Sequence, residues 1–110
     1  MRSIPINNHN PEYFFGNIIE TDLIRSLHFP KSELLISSDE LKARAEDVNY
    51  LTTQKNLDKI QLRIHFEDIE GSKLVITTIS GITDENVIIR NNLFLPIHRI
   101  VRMTVIQNFG

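Results

Sequence analysis

The 110-residue chain contains no cysteine and no tryptophan, and it has only four glycines. The absence of cysteine excludes disulfide bonds, thiol nucleophiles and zinc sites built from thiolates. The glycines are too few and too scattered for a phosphate-binding loop, and neither the P-loop nor the dinucleotide-binding pattern occurs. The sequence therefore predicts no cofactor.

Long apolar segments are also missing. No run of about 18 apolar residues is present, so the sequence predicts no transmembrane helix and no membrane partner. The first residues, Met-Arg-Ser-Ile-Pro-Ile-Asn-Asn, lack the apolar centre of a signal peptide. Together with the absence of cysteine, this predicts a cytoplasmic location.

Neither sign of charge dominates the chain. The formal net charge is −2, and neither half of the sequence carries a positive excess. A protein that binds duplex nucleic acid usually does carry one, because neutralisation of phosphates supplies much of the affinity. The charge balance does not favour nucleic acid as a partner, although a local cluster of basic residues would still allow RNA binding.

The first half of the chain is predicted to be helical after a short arm. Residues 1–9 are polar and are expected to form a flexible arm. Asn10-Pro11-Glu12 has the character of a helix start, and apolar residues four apart follow it. The spacing fits either one long helix over residues 10–29 or a shorter helix that begins at Thr21. Pro30 ends whichever helix is present.

Residues 37–53 fit two patterns. Ser37 and Glu40 have the spacing of a capping box, and oppositely charged residues four apart follow them. The alternation from Leu41 to Ala45 would also suit a strand. The cap and the charge pairs favour a helix, and the helical part of the chain is accordingly expected to cover residues 10–56.

The hydrophobic period changes after Asn56. From Ile60 to Glu67 apolar and polar residues alternate strictly, which predicts a strand with one buried face. Gly81 is expected to allow a bend, and Asn91-Asn92 is expected to form a hairpin turn. The further predicted strands are 73–80, 87–90, 93–95 and 100–106.

Five short strands joined by tight turns predict a small barrel. The segment Gly-Ile-Thr-Asp-Glu-Asn-Val-Ile-Ile from Gly81, followed by Leu-Pro-Ile-His-Arg-Ile from Leu95, resembles the second half of Sm-like and other small SH3-like barrels. The resemblance covers residues 60–106 and contains no functional motif, so it implies no functional residues. It implies an α+β fold in which N-terminal helical segments pack on a five-stranded antiparallel SH3-like (Sm-like) barrel. This barrel would cover residues 57–107 of a single domain, 1–110.

No catalytic or metal site is predicted. The histidines lack the spacing of metal ligands, no Gly-x-Ser-x-Gly pattern occurs, and paired carboxylates fall in expected turns or on a charged helix face. His65 and His98 would form a two-histidine site only if their strands were neighbours, and surface hydrogen bonding is the simpler interpretation. The sequence therefore predicts a protein that is not an enzyme.

A basic patch is the one functional hypothesis for specific residues. Arginine and histidine side chains can bind phosphate or stack on nucleotide bases. A solvated face of mixed charge is the alternative interpretation of the same residues. The six residues expected on the polar side of the barrel are Arg63, His65, Arg90, His98, Arg99 and Arg102.

The remaining clues concern partners. Tyr13-Phe14-Phe15 is unusually apolar and would either dock on the barrel or contact a partner or second subunit. Edge strands of an incompletely closed barrel would also pair with another chain. The sequence thus predicts a non-catalytic binding or interaction module of the SH3-like barrel type, which self-associates or binds a protein partner. RNA binding by an Sm-like barrel through its arginine patch is the alternative.

Overall fold

In the computed structural model, residues 17–109 are described. Within this range the chain forms one α-helix, seven β-strands and four short 3-10 helices. The helix α1 spans Ser38–Thr52. The strands are β1 (Asn17–Ile18), β2 (Ile60–Asp68), β3 (Gly71–Thr77), β4 (Ile79–Ile82), β5 (Asn86–Ile89), β6 (Leu93–Pro96) and β7 (Ile100–Asn108). The 3-10 helices are Thr21–Ser26, Leu57–Lys59, Arg90–Asn92 and Ile97–Arg99.

The strands lie in two separate sheets. One sheet has the order β1-β3-β2-β7, and the other has the order β4-β5-β6. The short β1 runs parallel to β3, and every other pairing is antiparallel. The chain passes from the first sheet to the second at Thr78, between β3 and β4.

Alternation along the strands defines the core. In β2, Leu62, Ile64 and Phe66 are fully buried, and their ladder partners on β3 and β7 face the same side. Phe29 packs on Phe66 with ring centroids 6.0 Å apart. The other apolar side chains of the main buried cluster are Ile24, Leu51, Ile60, Val75, Ile79, Val87, Ile89, Leu93, Leu95, Ile100 and Met103.

A buried ion pair fixes the turn between β2 and β3. The Lys73 Nζ lies 3.0 Å from an Asp68 carboxylate oxygen, and both side chains are buried. The same Asp68 oxygen accepts a hydrogen bond from the backbone N–H of Glu70 at 3.0 Å. Gly71 follows with φ of +127°, a conformation that residues with a Cβ rarely adopt. The Lys73–Asp68 ion pair therefore stabilises this turn, and Gly71 permits its backbone conformation.

Helix α1 begins where the capping residues predict. The Ser37 hydroxyl accepts hydrogen bonds from the backbone N–H groups of Asp39 and Glu40, at 3.1 and 3.4 Å. These bonds satisfy donors that have no partner inside the helix. The helix is thus confirmed over the strand alternative for residues 37–53.

Helix α1 lies against the outer edge of β7. The Arg44 guanidinium donates a hydrogen bond to the carbonyl of Ile100 at 2.9 Å, and the Asp47 carboxylate accepts one from the N–H of Met103 at 3.0 Å. Asp47 also holds Arg102 through two hydrogen bonds of 2.7 and 3.1 Å. One turn of helix thereby satisfies strand-edge groups that would otherwise lack a partner.

The predicted SH3-like barrel is wrong. The described strands number seven rather than five, and they form two sheets of four and three strands that do not close on each other. The predicted strand 73–80 divides at Thr78, and its halves enter different sheets. Side chains of α1 bind the first part of the outer edge of β7, and no further strand of residues 17–109 adds to that edge.

Most local strand predictions are confirmed. A strand is present at each predicted position, with ends that differ by a few residues. Asn91 and Asn92 adopt positive φ angles of 66° and 59°, as the hairpin prediction requires. A register shift between Ile79 and Gly81 marks the irregularity expected near Gly81.

The N-terminal helix prediction does not survive in its long form. Asn17–Ile18 is a strand, and a 3-10 helix follows at Thr21–Ser26, so no single helix runs over residues 10–29. The predicted arm 1–9 and the Tyr13-Phe14-Phe15 segment lie outside the described residues. None of the helices between residues 17 and 109 combines the length and apolar character needed to span a bilayer.

The Ser37 cap yields a stability prediction. We expect Ser37→Ala to lower the free energy of unfolding by about 1 kcal/mol, because two N–H groups lose their acceptor. Ser38→Ala is the matched control, since Ser38 is inside the helix and alanine favours helix by a few tenths of a kcal/mol. Urea denaturation followed by circular dichroism measures both changes, and equal stability of the two variants would contradict the cap.

Candidate functional site

The structure divides the six predicted site residues among several places. Arg63, His65 and Arg102 share the outer face of the four-stranded sheet, because His65 pairs with Arg102 and Arg63 lies two residues before His65. Arg90 lies in the exposed turn between β5 and β6, on the other sheet. The predicted set therefore does not form one patch.

Arg99 and His98 have structural partners. The Arg99 side chain is buried and donates hydrogen bonds to the carbonyls of Glu67 and Ser32, at 3.2 and 3.1 Å. The His98 Nε2 lies 2.9 Å from the Pro30 carbonyl. Both residues therefore anchor the segment 30–34 to the 3-10 helix Ile97–Arg99, which precedes β7.

The shared arginine face carries little free positive charge. Asp47 holds Arg102 and raises the pKa of its guanidinium, chiefly through the side-chain hydrogen bond. His65 is buried in the sheet, in register with Leu74 as well as Arg102. Arg63 is half-buried and is the one cation of this face without an ion pair among residues 17–109.

A groove between α1 and the turn joining β4 to β5 is formed by described residues. It consists of two adjoining depressions of about 530 and 600 Å³, both open to solvent. Arg44, Asp84 and Ile97 line both depressions, so the two are continuous. Their volumes lie within the range of ligand pockets in proteins.

The two halves of the groove differ in character. The first half lies against α1, and five of the ten side chains that line it are apolar, whereas the second half is lined mainly by polar and charged ones. We call the first half the apolar half. The first half adds Leu41, Ala45, Val48, Asn49, Thr52, Ile82 and Thr83 to the shared residues. The second half adds Lys31, Glu33, Glu85, Asn86, Pro96 and His98.

One wall of the groove is held by an ion pair. The Arg44 guanidinium binds both carboxylate oxygens of Glu33, one of them at 2.8 Å, while it also reaches the Ile100 carbonyl. Glu33 accepts a further hydrogen bond from the N–H of Leu35 at 2.9 Å. Arg44 therefore links α1, the segment before it and β7 at the centre of the groove.

The opposite wall is an ordered turn. The Thr83 N–H donates to the Asn86 carbonyl at 2.8 Å, and the Thr83 hydroxyl accepts from the Asn86 N–H at 3.0 Å. The Glu85 carbonyl accepts from the Ile97 N–H at 2.9 Å, which joins the turn to the corner before β7. This turn presents Asp84 and Glu85, both exposed, at the rim of the groove.

The rim is acidic once internal pairing is counted. Glu33 and Arg44 neutralise each other, whereas Asp84 and Glu85 have no cation within ion-pairing distance among the described residues. Lys31 is the remaining cation that lines the groove. The groove thus combines the apolar half with two carboxylates that form no ion pair among the described residues.

Between residues 17 and 109 there is no cluster of three or more histidine, aspartate or glutamate residues that could hold a metal ion. Comparison with protein-family models, curated proteins and solved structures finds no match to this chain.

The groove could not be predicted from the sequence because its components are far apart in the chain. In the sequence, Asp84 and Glu85 are only one of the carboxylate pairs expected in turns. Arg44 has the spacing of a charge pair on a helix surface, and nothing local indicates its contact with Ile100, 56 residues away. A carboxylate pair next to apolar strand residues was the only available signal.

The Glu33–Arg44 pair yields a pH prediction. The hydrogen bond from Arg44 lowers the pKa of Glu33 below its usual 4.5, against an opposing effect of desolvation, and the N–H groups of Leu35 and Leu34 add to the lowering. A carboxyl with a lowered pKa in the folded state stabilises the fold above its unfolded pKa and loses that contribution as pH falls through the folded pKa.

We therefore expect wild type to be more stable than Glu33→Gln at pH 7, with the difference shrinking as pH falls below about 4.5. Urea denaturation at several pH values measures the difference. Glu20→Gln, which removes an exposed carboxylate outside the groove, serves as the control. A difference between wild type and Glu33→Gln that stays constant with pH would contradict the role of the ion pair.

Proposed function

We propose that this protein is a non-catalytic binding module whose groove, between α1 and the β4–β5 turn, accepts a short segment of a partner protein. The observation that carries the proposal is the pairing of the apolar half with the carboxylates of Asp84 and Glu85, which form no ion pair among the described residues. The segment that fits has an apolar side chain next to a lysine or arginine.

The apolar half supplies affinity. Leu41 and Val48 are half-buried on α1 and face Ile82 and Ile97 across the groove. An apolar side chain inserted between them would complete their burial. Burial of one leucine-sized side chain is worth about 1.5–3 kcal/mol, before the cost of immobilising the segment.

The acidic rim supplies orientation and selectivity. Asp84 lines both halves of the groove, and Glu85 follows it on the same turn. A cationic side chain of the partner would reach these carboxylates while its neighbour occupies the apolar half. Complementary charge at an exposed rim accelerates association and disfavours acidic partners more than it adds affinity.

The groove needs little rearrangement to bind. The hydrogen bonds within the 83–86 turn and from Ile97 to Glu85 already hold one wall, and the Arg44–Glu33 pair holds the other. A preformed site loses less free energy to ordering of the protein on binding. A rigid groove of this kind binds an extended segment that matches its shape, whereas an adaptable groove would bind segments of many shapes.

RNA binding remains the alternative function. It would have to use the outer face of the four-stranded sheet, where Arg63 and Arg102 lie on neighbouring strands. Asp47 compensates Arg102, which leaves Arg63 as the single free cation of this face among residues 17–109, and phosphate binding usually draws on several. We therefore treat RNA as the competing outcome of the experiment that follows.

The groove proposal predicts the type of ligand that selection will recover. A random peptide library displayed on phage should yield peptides that place lysine or arginine beside an apolar residue. The selected peptide is then titrated by fluorescence anisotropy. We expect Asp84→Lys to weaken its binding by about tenfold or more, because an attractive charge becomes a repulsive one.

Two variants complete this design. Ala45→Arg places a large cation in the apolar half and should also block the peptide, whereas Asp58→Lys reverses an exposed carboxylate outside the groove and should not. Peptides that bind the Asp84→Lys and Ala45→Arg variants as well as wild type would contradict the proposal. So would the absence of selected peptides combined with salt-dependent RNA binding that is lost in Arg63→Ala.

A further inference from the structure

The second half of the groove, which we call the polar half, carries charge of both signs. Asp84 and Glu85 line it on the β4–β5 turn, and Lys31 lines it on the segment before α1. None of these three side chains forms an ion pair among the described residues. A ligand in the polar half therefore meets a cation on one element and two carboxylates on another.

The backbone that carries Lys31 is held in place on both sides. The carbonyl of Pro30 lies 2.9 Å from His98 Nε2, and the carbonyl of Ser32 accepts a hydrogen bond from the Arg99 guanidinium at 3.1 Å. The side chain of Lys31 itself is exposed. The fold thus fixes the base of this side chain and leaves its ammonium group available to a ligand.

A buried charge adds to the positive end of the polar half. Arg99 is 7% exposed, and its guanidinium donates to two carbonyls but forms no ion pair among the described residues. A charge removed from water is screened less than an exposed one. Because Arg99 binds the Ser32 carbonyl, this charge lies beside the residue that follows Lys31. Glu33 does not cancel it, since Arg44 already pairs with Glu33.

The lining residues also give the order of the charges along the groove. Asp84 lines both halves, so it stands where they meet, whereas Glu85 and Lys31 line the polar half alone. A segment that fills the whole groove therefore has its apolar side chain in the apolar half and its cation beside Asp84. The group that comes next lies near Lys31, and an anionic group complements a lysine.

We infer that the partner segment carries a carboxylate beyond its apolar and cationic residues, and that Lys31 binds this carboxylate. The inference rests on the proposed function, because it names a further part of the same ligand. The carboxylate belongs either to an aspartate or glutamate side chain or to the C-terminus of the partner, and both sources offer the same acceptor to an ammonium group.

Lys31 determines specificity in this arrangement. Asp84 and Glu85 alone would accept any segment rich in lysine and arginine. A second cation of such a segment would lie near Lys31, and the repulsion between like charges disfavours it. The groove thus selects a segment of mixed charge over a uniformly basic one.

Two peptide libraries distinguish the sources of the carboxylate. One library displays random peptides whose C-terminus is fused to the phage coat protein, so that only side chains supply carboxylates. The other displays peptides with a free C-terminus. We expect the first library to enrich an apolar residue, a lysine or arginine, and an aspartate or glutamate, in this order or its reverse. Enrichment in the second library of an apolar residue followed by a cation close to the chain end would support the inference and assign the carboxylate to the C-terminus.

Variants of the protein test the role of Lys31. Lys31→Glu should weaken binding of the selected acidic peptide by about fivefold or more, because an attraction becomes a repulsion. It should bind the same peptide with a neutral amide in place of the carboxylate at least as tightly as wild type does. Lys55→Glu makes the same change in net charge at an exposed lysine outside the groove and should leave binding unchanged. Fluorescence anisotropy measures all three affinities.

The outcomes separate this inference from the proposed function. A selected peptide that Asp84→Lys weakens but that binds Lys31→Glu as tightly as wild type would overturn the inference and leave the proposed function in place. Selected peptides without a carboxylate in either library would do the same. Peptides that bind Asp84→Lys and Ala45→Arg as well as wild type, or no selected peptides at all, would overturn both.

Discussion

The contact of α1 with the edge of β7 is the constraint on which the other features depend. A strand edge presents backbone donors and acceptors that need partners, and here two side chains one helical turn apart supply them. Arg44 takes the Ile100 carbonyl, and Asp47 takes the Met103 N–H. Because the same carboxylate also holds Arg102, the helix is fixed to β7 by both backbone and side-chain bonds.

This contact also creates the groove. With α1 held at β7, its residues Leu41 and Val48 stand opposite Ile82 and Ile97 without closing on them. Arg44 performs two tasks, since it binds β7 and neutralises Glu33 in the same geometry. The carboxylates of Asp84 and Glu85 at the rim form no ion pair among the described residues, and this is the property that we propose selects a cationic partner.

The sequence predicted what local chemistry determines and missed what distant contacts determine. The alternation in β2, the positive φ of Asn91 and the cap at Ser37 each depend on a few neighbouring residues, and all three were predicted. The docking of α1 on β7 depends on Arg44 reaching the carbonyl of Ile100, 56 residues on, and no local pattern encodes that pairing. The prediction of one basic patch was wrong for the same reason. Strand alternation assigns a residue to one face of the sheet, but it does not reveal that the carbonyls of Glu67 and Ser32 bind Arg99.

The difference between helix rise and strand rise limits how far α1 follows β7. A helix rises about 1.5 Å per residue and a strand about 3.4 Å, so a helix of 15 residues cannot accompany a nine-residue strand along its whole length. Arg44 and Asp47 therefore bond to the first part of β7, at Ile100 and Met103. The side chains of Leu41, Ala45 and Val48 on the same helix line the groove, so the helix that is anchored to the sheet also supplies one wall of the groove.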